Sequence, residues 1–180
     1  MAWATWKPSF MSHDNLLNIA FRAVSAHLRG EPYNPPTMSP PWHKARPVFV
    51  TLRTRSGDLR GCIGHLAASQ PSLAHEIAAD AISAATKDPR FPPVTSDELA
   101  SLQFSLSILE RPEPVDDPSL QDPTEWGLVV ISGARRGVLL PDLEGVDTAT
   151  QQEEICRRKA GIPHDAPVQY ERFRVTKVGE

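Results

Sequence analysis

The sequence predicts an α+β fold: a mainly antiparallel sheet with flanking helices and a smaller subdomain. Two observations predict the strands and one the helices. Val48, Val50 and Leu52 alternate with Phe49, Thr51 and Arg53, and Leu102, Phe104, Leu106 and Ile108 alternate with Gln103, Ser105 and Ser107. This two-residue period marks strands buried on one face. The turn residues Ser56, Gly57 and Asp58 then join the first strand to LRGCIGHL, which makes a hairpin of neighbouring antiparallel strands. Leu16, Leu17, Ala20, Phe21, Val24 and Leu28 recur at helical spacing, as do Leu73, Ile77, Ala81 and Ala84.

In chain order, residues 1–14 read as a flexible start and residues 15–180 as one domain. Asn15 to Leu28 forms an amphipathic helix ended by Gly30. Residues 29–46 form a proline-rich loop without periodicity, expected to be peripheral to folding, with Trp42 pinning it down. After the hairpin, Pro71 opens a helix, and the Ala-rich stretch Leu73 to Lys87 is suited to lie close to a sheet. Pro89 disfavours helical geometry at Asp88, so DPRFPP becomes a stiff loop anchored by Phe91. The Phe104 strand follows, then a second proline-rich surface loop from Pro112 to Pro123. GLVVI and VLLP read as a hairpin whose turn carries Arg135 and Arg136. A short helix, Gln151 to Ala160, is closed by Gly161. In the last strand the apolar parity changes between Tyr170 and Phe173, so the pattern asks for a bulge near Glu171.

The 18 prolines concentrate in loops, and a formal net charge of −3 supplies no field for a polyanion. Nucleic-acid binding is therefore disfavoured. No apolar run reaches the ~18 residues that span a bilayer, and MAWATWKPSFMSHDN lacks the apolar core of a signal peptide. The expected location is the cytoplasm, without a membrane. Two cysteines, Cys62 and Cys156, are too few for a disulfide framework.

Strand parity puts Leu59 and Ile63 on one side of RGCIG and Arg60, Cys62 and Gly64 on the other, so the thiol is expected beside the Arg60 guanidinium. Such a cation favours the thiolate needed by a nucleophile. Gly61 and Gly64 would admit a ligand or another backbone. The same residues also fit a small buried cysteine flanked by packing glycines. Cys62 and His65 have the spacing of a metal half-site but face opposite ways, and no second half-site exists, so no metal is expected and His65 reads as a surface or packing residue. Asp88 and Arg90 read either as a surface ion pair or as part of a site. No phosphate loop, dinucleotide fingerprint or nucleophile elbow occurs, and no cofactor is expected.

Four segments in order, LRGCIGHL, the Ala-rich helix running into DPRFPP, FSLSIL, and GVLLPDL followed by CRRKAGI, resemble the AMMECR domain family, also called AmmeMemoRadiSam system protein A. The resemblance implies a compact α+β fold and a groove lined partly by RGCIG. It makes Arg60, Gly61, Cys62, Ile63 and Gly64 one signature, and Asp88, Arg90 and Phe91 a second. The family name implies a Memo-like metal-binding protein and a radical-SAM enzyme as partners, with no reaction attached to the domain. Trp126 stands where relatives usually carry a histidine, and Asp142 where a glutamine is usual.

Three functions stay open at this point. One is a partner- or substrate-binding component. Another is a thiol-dependent enzyme with Cys62 as nucleophile and Arg60 steadying it. The third is RNA binding through Arg53, Arg55 and Arg60.

Overall fold

Residues 13–179 are described by a computed structural model. The expected flexible start lies outside them except for its last two residues, which begin the first helix. The elements run α1 (His13–Leu28), β1 (Val48–Arg53), β2 (Leu59–Gly64), α2 (Leu73–Thr86), α3 (Ser96–Leu99), β3 (Gln103–Leu109), β4 (Glu113–Val115), β5 (Gly127–Ser132), β6 (Arg135–Leu139), α4 (Ala149–Ala160), β7 (Gln169–Phe173) and β8 (Val175–Val178). They make an α+β fold with two four-stranded sheets, ordered β2-β1-β3-β8 and β4-β7-β5-β6. The chain divides into two units: residues up to Ile108 with those from Lys177 onward, and Leu109–Thr176. No helix among the described residues is long and apolar enough to cross a membrane.

In the first unit β1 pairs antiparallel with both β2 and β3. The alternation works as read: Val48, Val50 and Leu52 are buried beside Ile108, Leu106 and Phe104, while Thr51 and Ser105 pair on the opposite face and are half-buried. The buried face joins one core with α1 and α2, where Ala20 and Ala23 are buried in the same cluster as Ala74, Ala78 and Ala81. Small side chains let such helices approach closely. The buried stripe of α1 differs in part from the expected one. Leu16, Ile19, Ala20, Ala23 and Val24 are its buried stripe, whereas Phe21 is 41% exposed and meets Phe104 edge-on, 6.1 Å between ring centroids.

Residues 29–46 are loop, but not all of them are peripheral. Met38 is buried in the first core, and Tyr33 and Trp42 pack against it, with Arg46 over the Trp42 ring. Trp42 pins the loop as expected, whereas Met38, a lone buried side chain in the loop, leaves no periodic pattern. Pro71 precedes the helix it was read to open, and Ser72 caps it by accepting from the His75 N–H.

In the second unit α4 lies on β5 and β6, its Cys156 packed with Leu128, Val130 and Leu139. Thr148 and Gln151 form a capping box at its start, and Gly161 ends it in the left-handed region at φ 62°. Three expectations here are corrected. The second proline-rich loop contains β4, an edge strand that tolerates Pro114. The β5–β6 turn is Gly133 and Ala134, so Arg135 and Arg136 begin a strand. There is no bulge at Glu171, because β7 pairs in continuous register with β5 and the parity changes where the chain leaves for β8 in the other sheet.

Candidate functional site

The two signature blocks meet at the free edge of β2. Gly61 pairs with Leu52 and faces α2, where a Cβ would lie 2.2 Å from the Ala84 carbonyl oxygen. The first glycine of RGCIG thus admits another backbone, that of α2. Gly64 is closed in the same way by the backbone at Val48 and Phe49. Ile63 pairs with Val50 and packs against the core.

Between Leu52 and Arg53 the β1–β2 register shifts, so Leu59 and Gly61 pair with successive residues of β1 and Arg60 is extra. A bulge re-aims its residue. Arg60 makes a two-pronged pair with Glu98 of α3, Nε to Oε1 at 2.5 Å and Nη2 to Oε2 at 3.0 Å, with its guanidinium 6.0 Å from the Phe91 ring centre. The Arg60 side chain is 12% exposed, and its Nη1 is buried without a hydrogen-bond partner. The Arg60 hydrogen bond lowers the Glu98 pKa below its ordinary value.

Cys62 keeps the parity expected of it, and its half-buried sulfur accepts from the Thr51 hydroxyl at 3.3 Å on the opposite strand. The hydrogen bonds of Arg60 go to Glu98 rather than to the thiol. The backbone of Cys62 meets the second block. Its N–H donates to Asp88 Oδ2 at 2.9 Å, and Arg90 Nη2 donates to its carbonyl at 3.4 Å. An aspartate and an arginine thereby pair with an edge strand as a neighbouring strand would.

Asp88 is committed to this clamp. Oδ1 accepts from the Arg90 N–H and Nε, and Oδ2 accepts from Cys62 N–H and Arg90 Nη2. These bonds occupy all of the roughly four acceptor sites of a carboxylate. The Arg90 hydrogen bonds, with smaller help from Cys62 N–H, hold its carboxyl well below the usual range against the cost of burial. Asp88 is a buried structural anion, neither a surface ion-pair partner nor a free base. Arg90 is different: its side chain is 53% exposed, 5.5 Å from the Phe91 ring centre, with its pKa raised chiefly by the bond to Asp88.

Sequence reasoning missed Glu98 and Thr51. Thr95-Ser96-Asp97-Glu98 has the spacing of a capping box, which could have located α3; Thr95 does cap it, while the Glu98 side chain goes to Arg60. His65 turns to Asp80 of α2, with Nδ1 3.2 Å from Oδ1. Arg53 bonds the Gly57 carbonyl and Arg60 is held by Glu98, so they do not act as a pair on the hairpin. Of the departures noted in the sequence, Trp126 stacks with Arg172 and Arg174, 4.1 and 4.5 Å from its ring centre, and Asp142 adopts a positive φ of 55°, which aspartate tolerates. A cavity of about 510 Å³ is lined by Leu17, Asn18, Phe21, Arg22 and Phe104, none of them signature residues.

The AMMECR1 family model matches residues 17–178. A protein of Thermotoga maritima is 52% identical over 131 residues, which are 72% of this chain and 75% of that one. A protein of Clostridium acetobutylicum is 43% identical over 132 residues, 73% of this chain but 28% of that one. The crystal structure of an uncharacterised protein from Pyrococcus horikoshii matches with a TM-score of 0.76 at 30% identity, covering 90% of this chain and 88% of that one.

Proposed function

The chain belongs to the AMMECR1 family, and from that premise we propose that it is a cytoplasmic binding component that docks a partner or substrate at the β2 edge, with a Memo-like protein and a radical-SAM enzyme as its partners. The observation that carries this reading is the division of labour in the Asp88–Arg90 pair. The carboxylate is used up inside the fold, and the guanidinium is held rigidly in solvent against Phe91. A fixed arginine on an aromatic ring is a common anchor for carboxylates and carbonyls. In the Clostridium acetobutylicum relative the matched region is 28% of a longer chain, a use suited to a binding module.

Thiol catalysis is less well supported. The Cys62 sulfur is bonded to the Thr51 hydroxyl, Asp88 has no acceptor site left, and His65 is turned to Asp80, so no base among the described residues is bonded to the thiol. The test is a calorimetric titration of the chain with a purified Memo-like protein and with a radical-SAM enzyme from the same source. Arg90→Ala is expected to weaken binding to one of them at least ~10-fold, in the range of an interface hot spot, with Cys62→Ser binding normally. Loss of function in Cys62→Ser alone would replace this reading with the thiol-dependent enzyme.

A further inference from the structure

Helix α2 is alanine-rich, yet two carboxylates interrupt its core-facing stripe. Glu76 and Asp80 lie four residues apart and so share a helix face with Leu73 and Ile77, and they are 1% and 3% exposed. Among the described residues, neither is paired with a lysine or arginine. Beside them lies His65, the first residue after β2. One ligand atom from each of His65, Glu76 and Asp80 lies within 4.8 Å of the others, the only such group of three among the described residues.

We infer that His65, Glu76 and Asp80 bind a divalent transition-metal ion. The independent observation is Asp80 Oδ2, a buried oxygen without a hydrogen-bond partner on a side chain only 4% exposed. An unsatisfied buried acceptor is costly, and a cation is the partner that it lacks. Glu76 is oriented as ligating carboxylates are: Oε2 accepts from the Ser69 and Gln70 N–H groups, and Oε1 accepts from the Ser69 hydroxyl. Those bonds leave Oε1 a free lone pair. Two buried anions that disfavour one another's charge are relieved together by one dication.

The histidine gives access. Its side chain is 58% exposed, so an ion can reach the carboxylates from solvent beside the imidazole. Metal–ligand distances of ~2.0–2.2 Å require closer donors than the present separations, so ligation draws His65, the exposed member, toward the two buried carboxylates. One nitrogen and two oxygens suit Zn²⁺ or Mn²⁺ rather than a thiolate-selected metal. Cys62 lies outside the group, so the site is not the Cys-x-x-His half-site visible in the sequence. It would fasten the segment after β2 to α2 independently of docking at the β2 edge.

The test is calorimetric titration of the chelator-treated full chain with Zn²⁺ and with Mn²⁺, alongside thermal unfolding with and without the metal. Expected is one saturable equivalent that raises the melting temperature. His65→Ala and Asp80→Asn should each weaken binding by more than the ~10–100-fold typical of losing an outer hydrogen-bond partner, and Cys62→Ser should bind as the parent does. His65→Ala changes an exposed residue and tests the site even if Asp80→Asn unfolds. The inference is overturned if there is no saturable binding, if His65→Ala binds normally, or if Cys62→Ser alone abolishes binding.

Discussion

Both units lay a helix across an edge strand at a glycine, but they treat the edge and the cysteine differently. In the second unit Gly137 of β6 meets α4, where a Cβ would lie 2.0 Å from the Cys156 carbonyl oxygen; in the first, Gly61 of β2 meets Ala84 of α2 at 2.2 Å. Cys156 sits inside its crossing, fully buried, with its sulfur donating to the Leu128 carbonyl. Burial pushes that thiol up to about 12. Cys62 follows its glycine on the strand and points to the face away from α2. On β6 the Val138 carbonyl receives one Lys159 ammonium. The β2 edge receives a buried aspartate and an ordered arginine. A lone lysine is enough to discourage edge pairing. Committing a buried, fully bonded carboxylate to the same task positions something further, the exposed guanidinium of Arg90 beside the half-buried ring of Phe91.

The largest expected effects test what the units share. Gly61→Ala and Gly137→Ala each drive a methyl into helix backbone that cannot rotate away, at a cost near the top of the ~1–3 kcal/mol range for overpacking or beyond it. Chemical denaturation should register both. A loss under 1 kcal/mol at either position would mean that the crossing can slide.

Asp88→Ala probes the difference between the edges. It leaves the Cys62 N–H without its acceptor and costs about 1–3 kcal/mol, while Arg90, being exposed, stays solvated. Because the folded Asp88 pKa is depressed, its contribution is present above the unfolded carboxylate value of ~3.9 and is lost as pH falls toward the folded one. Wild type and variant should therefore differ by a constant amount at neutral pH and converge in acid. A gap that widened in acid would contradict the assignment.

The two cysteines sharpen the contrast further. An alkylating probe at neutral pH should label Cys62 in the folded chain and reach Cys156 only on unfolding, as peptide mass mapping can resolve. The smallest effect belongs to the stacked arginines of the second unit, where Arg174→Ala should cost ~0.5–1 kcal/mol through the lost contact with Trp126.

How much was legible in the sequence follows the same physics. Period-two alternation located β1 and β3, and helical spacing located α1 and α2, because those patterns reflect burial on one face. Met38 was invisible, since a single anchor in a proline-rich loop has no period. The parity change before Phe173 was read as a bulge because a move between sheets leaves the same trace in one strand. At the site, parity placed Cys62 correctly, but the shift between Leu52 and Arg53 sent Arg60 to Glu98, and bulges leave little mark in composition. Glu76 and Asp80 were legible in principle as carboxylates in a core-facing stripe. Their convergence with His65 needed the fold.

The two signature blocks form one clamp on the β2 edge, with Asp88 replacing the missing neighbour strand at Cys62. Amide hydrogen exchange measured residue by residue in wild type and Asp88→Ala tests it most directly. The account predicts that the Cys62 amide loses protection at least ~10-fold, about 1.4 kcal/mol of opening free energy, beyond any change at Val130 in the second unit. Equal protection of Cys62 in the two proteins would contradict it.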